Sequence, residues 1–593
     1  MAEAHDHPRP QLVRSGWVSL DGQWDFAYDD ANAGRRERWH ERDDVFDRTI
    51  TVPFPPESRA SGIGDVEPHP YLWYRRTFTV DDPGDKRVLL HFGAVDYEAT
   101  VWVNGSLATS HSGGHVPFFA DITDLLRDGD EQVVVVRAED QPNDLSQPRG
   151  KQVWGGTPRS ILYSATSGIW QSVWLETVPR VSIYRLRWSP DASAGTLGLR
   201  VQLSQPVPSG WSVRVHLTFR GATLTRDVFS VSDNVVERSI TLPTVFGEHQ
   251  TSGLLWSPKE PRLIDAAVEL LEGDIVVDTV TSYAGLRSVG IRKGRFLLNN
   301  RPIYLRMALE QGYWPESHLS ATDAQLKQEV ELAKALGFNA LRVHQKVENP
   351  RFLYWCDRLG LMTWAEMPSS YIFTETMITR FTQEWMEALE RDVSHPCVVA
   401  WVPTNESWGV PDLENDPRQR AFTRMLADLA RALDGSRPVI SNDGWEHVNS
   451  DILALHDYAD AEEVLLERWK DAAAVANTIA NVLPGKRRKI IEDGNNPEAP
   501  VMLTEVGGIG FPNDSDERWH FWSADTPEQL REKYAELIGA ILASDTVVGF
   551  CYTQLTDTLQ ERNGLLDENR RPKVPIEEIY AITTGPSKSV PPR

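Results

Sequence analysis

The stretch DAQLKQEVELAKALGFNALRVH (323–344) shows the pattern that decides the fold of the C-terminal half of the chain. Its first part, 323–337, places apolar residues at helical spacing and ends at a glycine, and its second part, 340–344, is typical of a short buried strand. The same alternation recurs towards the C-terminus. Strand-like runs are found at 302–309, 340–344, 361–367, 398–406, 438–444, 452–458, 500–507 and 547–555. Eight such units predict a (β/α)8 TIM barrel over residues 289–593.

The first 288 residues have a different texture and predict two β-domains. Over 1–180, short alternating runs are separated by turn residues such as Asn104-Gly105, which is typical of a sandwich or a jelly roll. Over 181–288, about seven short strands predict an immunoglobulin-like sandwich.

The composition excludes several classes of protein. A formal net charge of −24 disfavours nucleic acid and anionic membranes as partners, because both require clustered Lys and Arg. The three cysteines are far apart in sequence, so we expect neither a disulfide framework nor a structural zinc site, and a cytoplasmic location is the expectation. The N-terminus has no apolar signal region, and no apolar run is long enough to span a membrane. The 21 tryptophans suit β-domain cores and also sugar rings.

Two carboxylates follow barrel strands at the end where TIM barrels carry their functional groups. Glu406 ends the fourth strand in AWVPTNESWG, and Glu505 ends the seventh in VMLTEVGG. Cleavage of a glycosidic bond requires such a pair, one as nucleophile and one as acid and base. The alternative for any glutamate at a strand end is a structural role, either solvated or in a salt bridge. Glu366, at the end of the third strand, is such a case and could pair with Arg342.

A set of motifs in a fixed order resembles glycoside hydrolase family 2, which contains β-galactosidases, β-glucuronidases and β-mannosidases. The resemblance covers nearly the whole chain. The motifs are WVSLDGQWDF (17–26), VWVNGSLATSHSGGHVPFFADITDLL (101–126), SGIWQSVWLE (167–176), GLRSVGIRKGRFLLNNRPIYLRM (285–307), NESWG (405–409) and TEVGG (504–508). The resemblance implies a sugar-binding jelly roll, an immunoglobulin-like sandwich and a catalytic barrel.

The resemblance also divides the roles of the two glutamates. It implies that Glu406 is the acid/base and Glu505 the nucleophile, and that Asn405 hydrogen-bonds the sugar 2-hydroxyl. Glu505 should stay ionised, and Glu406 should be held protonated by apolar surroundings until the glycosyl-enzyme forms. This scheme requires no cofactor and no metal.

Further residues at predicted strand ends are candidates for binding the sugar. Tyr458 matches a family tyrosine that orients the nucleophile, whereas His344 is displaced by one position from the family histidine. The full set of these candidates is His344, Gln345, Glu310, Trp314, Asp443, Trp445, His456, Tyr458 and Gln554. Each has a structural alternative: His344 and His456 could be packed histidines, and Trp314 could belong to a lid.

Departures from the family pattern leave the sugar open. The chain has Gln554 and Asp557 where many members place a tryptophan, and it lacks the Asn-x-Lys motif with which β-glucuronidases bind the uronate carboxylate. Lys346 or Arg562 could replace that motif. We therefore expect a β-galactosidase-like retaining exo-hydrolase of a glycoside or oligosaccharide, which could form homo-oligomers. The alternatives are a glucuronide, a mannoside or a furanoside (galactofuranoside or arabinofuranoside) as substrate, or a carbohydrate-binding protein that has lost catalysis.

Overall fold

The computed structural model describes residues 6–129, 131–243, 253–481, 487–491, 495–496, 498–511 and 522–590. The N-terminal strands form a jelly roll of two main antiparallel sheets, ordered β1-β12-β5-β9 and β3-β2-β4-β10-β7-β8, and β6 pairs with β11. Apolar side chains from both sheets alternate inward to make one core. The strands are β1 (Trp17–Ser19), β2 (Gly22–Tyr28), β3 (Arg48–Val52), β4 (Tyr71–Thr79), β5 (Arg87–Phe92), β6 (Val95–Asp96), β7 (Glu98–Val103), β8 (Ser106–Ser112), β9 (Phe118–Asp121), β10 (Glu131–Glu139), β11 (Gly168–Ile169) and β12 (Val173–Val178).

A seven-stranded sandwich follows, with sheets ordered β13-β14-β17 and β16-β15-β18-β19 around a separate core. One of its strands, β16, has few buried residues. Three short strands, β20–β22, then form a small antiparallel sheet before the barrel. These strands are β13 (Ile183–Asp191), β14 (Thr196–Leu203), β15 (Trp211–Phe219), β16 (Ala222–Val231), β17 (Val235–Thr241), β18 (Ile264–Glu272), β19 (Ile275–Ala284), β20 (Val289–Arg292), β21 (Arg295–Leu298) and β22 (Arg301–Pro302).

The C-terminal domain is a TIM barrel whose sheet contains seven parallel strands in the order β26-β25-β24-β23-β31-β28-β27. Strands such as β24 and β26 are buried at every residue, as expected when both faces of a parallel sheet are covered. The strands are β23 (Leu305–Glu310), β24 (Ala340–Val343), β25 (Met362–Glu366), β26 (Val398–Val402), β27 (Leu453–Asp457), β28 (Val501–Gly507) and β31 (Val547–Thr553), beside the short pair β29 (Ile509–Gly510) and β30 (Trp522–Ser523).

The predicted fifth barrel strand, 438–444, is an irregular segment that closes the barrel in place of an eighth regular strand. It forms isolated parallel bridges from Val439 to Trp401 and from Gly444 to Leu455, and so lies between β26 and β27. Its polar side chains take the hydrogen bonds that a regular ladder would use; Asn442, for example, bonds to the hydroxyl of Ser407 and to a nearby backbone carbonyl.

Helices cover the outside of the barrel, and their ends follow sequence signals. Thr322 and Gln325 form a capping box at α1, and Asn349 caps α2 immediately before a proline. The long segment 459–499 after β27 contains two helices, α5 and α6, and part of it lies outside the described residues. The helices are α1 (Asp323–Ala335), α2 (Pro350–Leu359), α3 (Glu375–Asp392), α4 (Pro417–Leu433), α5 (Glu462–Trp469), α6 (Ala472–Asn481), α7 (Pro527–Leu542) and α8 (Ile576–Thr583). Across the described part of the chain, none of these helices combines the length and the apolar character needed to cross a membrane.

Candidate active site

Glu406 and Glu505 face each other at the carboxyl end of the barrel. Glu505 lies within β28, and Glu406 lies in the turn that follows β26, where Glu406 and Ser407 adopt left-handed conformations with φ of 50° and 59°. One carboxylate oxygen of each glutamate and one ring nitrogen of His456 lie within 4.8 Å of one another. This spacing fits a retaining pair, whose carboxyl groups are about 5–5.5 Å apart, better than an inverting pair.

Arg342 joins the candidate residues from beneath. This fully buried side chain donates from Nη1 to Glu505 Oε1 at 2.8 Å and from Nη2 to Asn405 Oδ1 at 2.6 Å. Its Nε donates to Glu366 Oε2 at 2.9 Å, so the anticipated contact between Arg342 and Glu366 is present. The bond to Oδ1 fixes the orientation of the Asn405 amide, because the NH2 group must then point away from the guanidinium.

The electrostatics around Glu505 favour its ionised form. Burial would raise the pKa of this carboxyl, but the positive charges of His456 and Arg342 lower it to about 2. Tyr458 contributes as well, since its hydroxyl donates to Glu505 Oε2 at 2.5 Å. The side chain is therefore held as a carboxylate with both oxygens fixed in place.

The surroundings of Glu406 differ from the expected apolar ones. Its Oε1 lies 2.7 Å from Nδ1 of His456, and the other ring nitrogen lies 2.9 Å from Asp443 Oδ1. Burial would lower the pKa of His456, but its carboxylate neighbours, Glu505 foremost, raise it to about 9. Arg342 and His456 hold the pKa of Asp443 well below its usual range despite burial.

His344 reaches the cavity wall as a neutral imidazole. Burial and the charge of Arg342 lower the pKa of His344 well below its ordinary value. Its Nδ1 lies 3.1 Å from Glu366 Oε1. Burial raises the pKa of Glu366 to about 8, against the effect of Arg342, so this carboxyl readily holds a proton beneath the site.

The glutamates open into a cavity of about 540 Å³, a volume in the range of small-molecule sites. Two tryptophans, Trp408 and Trp445, line it and offer flat surfaces on which a sugar ring could stack. Three lining residues also present buried polar atoms with no hydrogen-bond partner among the described residues: Gln311 Oε1, Trp445 Nε1 and Asn563 Oδ1. Such atoms are suited to a ligand rich in hydroxyl groups.

The jelly roll completes the cavity with a loop that joins β10 to β11. Lys151 and Ile161 of this loop line the cavity. The loop is held by backbone contacts to the barrel, including a bond from Gly150 N to Ser369 O at 3.0 Å. Near its end, the Tyr163 hydroxyl donates to Glu561, which follows β31 and also lines the cavity.

The structure divides the predicted site residues into two groups. Seven line the cavity: His344, Asn405, Glu406, Trp445, His456, Tyr458 and Glu505. Five do not, and stand behind its wall: Gln345, Glu310, Trp314, Asp443 and Gln554.

The five residues behind the wall have partners within the protein, and their direct contacts with sugar stay a prediction that their placement outside the cavity lining does not support. Trp314 is buried beneath the guanidinium of Arg570, which lies 3.5 Å from the ring centroid. Gln345 packs under the jelly-roll loop, where its Oε1 accepts from a backbone amide of the loop after β25. Gln554 supports Gln311 by accepting its amide at 2.7 Å. Asp443 holds His456, as described above.

Glu310 is fully buried, and burial together with nearby glutamates raises its pKa to about 8. Lys346 is also withdrawn from the cavity, because its ammonium bonds to two backbone carbonyls, at 2.9 and 3.0 Å, and to Glu348 at 2.7 Å. It is therefore not placed to bind a uronate.

Sequence reasoning missed cavity residues that come from outside the predicted strand ends. Lys151 and Ile161 belong to another domain, and Arg468 lies on α5, where its guanidinium bonds to Asp457 at 2.5 Å. Glu561 and Asn563 follow β31 by several residues. Trp408 carried a local signal, because it directly follows the Asn-Glu-Ser run.

Comparisons with known proteins agree with this architecture. A model described as the sugar-binding domain of glycosyl hydrolases family 2 matches residues 17–179, and one described as the TIM barrel domain of the same family matches residues 289–508. The fold and the carboxylate pair define a protein of the glycoside hydrolase class. The chain belongs to glycosyl hydrolase family 2, and the resemblance seen in its motifs is confirmed.

Relatives with curated descriptions are distant. A putative beta-glucuronidase of Formosa agariphila is 27% identical over 62% of this chain and 44% of its own length. A beta-galactosidase of Thermoanaerobacter pseudethanolicus is 26% identical over 62% and 48%. The matches thus span less than half the length of these two relatives. A beta-glucuronidase of Paenibacillus borealis is 27% identical over 73% of this chain and 74% of its own.

Among solved structures, a Bifidobacterium dentium beta-glucuronidase complexed with coumarin-3-O-glucuronide aligns with a TM-score of 0.78. The alignment covers 97% of this chain and 98% of that one, at 21% identity. The three-domain fold is therefore shared over nearly the full length.

Proposed function

We propose that the protein is a retaining exo-glycoside hydrolase that cleaves a terminal non-reducing sugar by double displacement. The observation that carries this proposal is the pair Glu406 and Glu505, which face each other within 4.8 Å at a cavity closed by a second domain. Glu505 attacks the anomeric carbon as a carboxylate, and Glu406 protonates the leaving oxygen and then activates water. Asn405 presents its NH2 group to the sugar 2-hydroxyl, because Arg342 occupies its carbonyl oxygen.

We further propose a neutral sugar, as in a β-galactoside-like substrate or a furanoside. The cavity wall brings together Lys151 from the jelly roll and Glu561 after β31. The two residues are not in ion-pair contact with each other within the described structure, so sugar hydroxyl groups could be held between them as acceptor and donor. A uronate placed at this wall would face the carboxylate of Glu561, which disfavours a glucuronide.

A β-glucuronide is the second candidate. It is favoured by the ammonium of Lys151, which has no hydrogen-bond or ion-pair partner among the described residues and could pair with a uronate, and by relatives that are described as beta-glucuronidases. The two candidates are separated by substrate preference and not by mechanism.

The test uses nitrophenyl glycosides: the β-galactopyranoside, β-mannopyranoside, β-glucuronide, galactofuranoside and arabinofuranoside. We expect Glu505→Gln and Glu406→Gln to lower kcat/KM on the preferred substrate by at least about 10³-fold. Glu331→Gln, a change at an exposed glutamate of α1, is the matched control and should leave it unchanged. Proton NMR should show the retained anomer first.

Two results would contradict the proposal. An initially inverted anomer would exclude double displacement. Sugar binding without turnover of any glycoside would instead favour a carbohydrate-binding protein.

The nucleophile is tested directly by covalent labelling. A 2-fluoro glycoside with an activated leaving group should label the peptide that contains Glu505, and the labelled residue is identified by mass spectrometry.

We also propose a cytoplasmic location and the formation of homo-oligomers. The three cysteines, Cys356, Cys397 and Cys551, are buried and unpaired, which suits a reducing compartment. Activity measured in separated cell fractions would test the location, and sedimentation would test the oligomeric state.

A further inference from the structure

His456 lies between the two glutamates on which the proposed function rests. Its Nδ1 is 2.7 Å from Glu406 Oε1, and its Nε2 is 2.9 Å from Asp443 Oδ1 and 3.5 Å from Glu505 Oε1. A neutral imidazole carries a proton on only one ring nitrogen, so the other would face a carboxylate oxygen as lone pair against lone pair. With carboxylates at both nitrogens, the geometry suits the imidazolium, which donates to both.

The groups around the ring are predominantly anionic. The cation Arg342 lies at the edge, with Nη1 3.5 Å from Nε2. Two other imidazoles, His344 and His447, are nearby, and burial lowers the pKa of each below its ordinary value, so they add no charge at neutral pH. The ionisable groups facing the ring are Arg342, His344, Glu406, Asp443, His447 and Glu505.

Asp443 fixes the ring and does not itself take part in proton exchange with the cavity. It is fully buried, does not line the cavity, and accepts from Thr504 Oγ1 at 2.5 Å as well as from His456. Glu406, in contrast, lines the cavity, and its side chain is 18% exposed. A proton on Nδ1 therefore has one direction in which to move, which is through Glu406.

We propose that His456 and Glu406 share the single proton required for acid/base catalysis, with His456 as a positioning residue that supplies this proton to Glu406 and receives it back. This inference rests on the proposed function. It assigns to His456 the task of keeping a proton available to Glu406, which apolar surroundings would otherwise have to perform. It also explains why the acid/base carboxylate lies beside a cation.

The proton balance follows directly. In the first step the bond from the anomeric carbon to the leaving oxygen breaks, a bond from that carbon to Glu505 forms, and the shared proton passes from Glu406 to the leaving oxygen. Nδ1 of His456 is then unprotonated and Nε2 keeps its proton towards Asp443. In the second step water attacks the anomeric carbon, the bond to Glu505 breaks, and the proton of the water returns through Glu406 to Nδ1.

The charge of Glu505 couples the two steps. While Glu505 is a carboxylate, it stabilises a proton on the pair across the 3.5 Å contact. When Glu505 is esterified by the sugar, that stabilisation disappears, and the pair is left unprotonated and able to accept the proton of water.

The closing experiment compares His456→Asn and His456→Gln with His447→Asn. His447 is the matched control because it is a buried imidazole that bonds to Ser450 Oγ and to a backbone carbonyl, with no bond to either glutamate. The glutamine variant separates the orientation of Glu406 from the supply of its proton, since its amide can donate a hydrogen bond to Glu406 but cannot transfer a proton.

The kinetic readout is kcat/KM on aryl glycosides whose leaving phenols differ in acidity, measured over pH. We expect both His456 variants to lose about 10²–10³-fold on the phenyl glycoside and less than about 10-fold on the dinitrophenyl glycoside, which needs little acid assistance. The basic limb of the wild-type pH profile should also move in both variants. If the glutamine variant matches wild type in leaving-group dependence and pH profile, the proton-sharing role is overturned.

A second readout does not depend on turnover and separates this inference from the proposed function. NMR of wild-type protein with labelled histidine should show His456 protonated on both nitrogens at pH 7, with loss of a proton near pH 9 that moves lower in Glu406→Gln. A neutral His456 at pH 7 would overturn the inference even if the glycosidase activity is found. Conversely, if His456 is an imidazolium but no glycoside is cleaved, the result would count against the proposed function alone.

Discussion

Replacing Lys151 with methionine tests whether the jelly roll contributes to sugar recognition. The lysine is 8% exposed and lines the cavity, and no acceptor among the described residues lies within hydrogen-bond or ion-pair distance of its ammonium. Its contact with the protein is instead a cation–π one, with Nζ 5.8 Å from the ring centroid of Tyr163. The free donors of this ammonium therefore point to a partner supplied by the substrate.

The size of the effect follows from the chemistry of that contact. A hydrogen bond to a charged group contributes about 1.5–3 kcal/mol, and about 1.4 kcal/mol corresponds to a tenfold change. We therefore expect Lys151→Met to lower kcat/KM on the preferred glycoside by about 10- to 150-fold. Methionine keeps the length of the side chain and breaks no ion pair within the described structure, so the free energy of unfolding should fall by no more than about 1 kcal/mol, from loss of the cation–π contact.

The assay combines steady-state kinetics with thermal unfolding. Lys327→Met, at a half-exposed lysine of α1, is the control for removing a positive charge from the molecule. A double-mutant cycle with Glu561→Gln should show coupling between the two positions, because both are expected to bind the same sugar. An unchanged kcat/KM in Lys151→Met, or a loss matched by a fall in thermal midpoint, would refute the reasoning.

Three more predictions concern single side chains. Tyr458→Phe removes a hydrogen bond to a charged oxygen of Glu505, so kcat/KM should fall by about 10- to 100-fold and its acidic limb should move to higher pH; an unmoved limb would contradict the role of the hydroxyl in lowering this pKa. Gly150→Ala would place a methyl group 2.2 Å from the backbone carbonyl oxygen of Gln345, at a residue with φ of 60°. We expect this clash to displace the jelly-roll loop and to raise KM. Gly62→Ala is the control for backbone strain alone, because Gly62 has φ of 86° and open space where the added methyl group would lie. The pKa of His456 is raised from 6.5 to about 9, so its protonation should stabilise the folded protein by about 3 kcal/mol in free energy of unfolding. This stabilisation is fully present below pH 6.5 and is lost as pH rises through 9. The unfolding midpoints of wild type and His456→Asn should therefore converge over that interval.

The sequence predicted the barrel well because barrel strands are buried on both faces and carry continuous apolar runs. The exception is 438–444, where the serine and asparagine side chains bond to backbone groups of nearby residues. Its apolar start resembled a strand, but only isolated bridges form. In the sandwich, the count of about seven strands was predictable, although the alternating pattern of β16 is weak because this strand is largely exposed.

The candidate site was predictable where function follows a strand end and unpredictable where it depends on tertiary contact. Glu406 and Glu505 were found from their positions in barrel strands, and the structure brings them together. The neighbours of Glu406 were expected to be apolar, yet His456 lies against it, because the register of β27 relative to the preceding segment is not evident from either sequence alone. Lys151 had no local signal, since its placement depends on how two domains dock.

Because the jelly-roll loop docks on the barrel, the proposed catalytic residues and one wall of the cavity are encoded in separate parts of the gene. The residues expected to break the bond belong to the barrel, whereas Lys151 and Ile161 are encoded more than 140 positions upstream of its first strand, between β10 and β11. Insertion, deletion or recombination in that upstream stretch could reshape one wall of the cavity while leaving Glu406, Glu505 and their supporting network unaltered. Diversification of sugar preference in such a protein would then be expected to leave its traces in the N-terminal third of the gene.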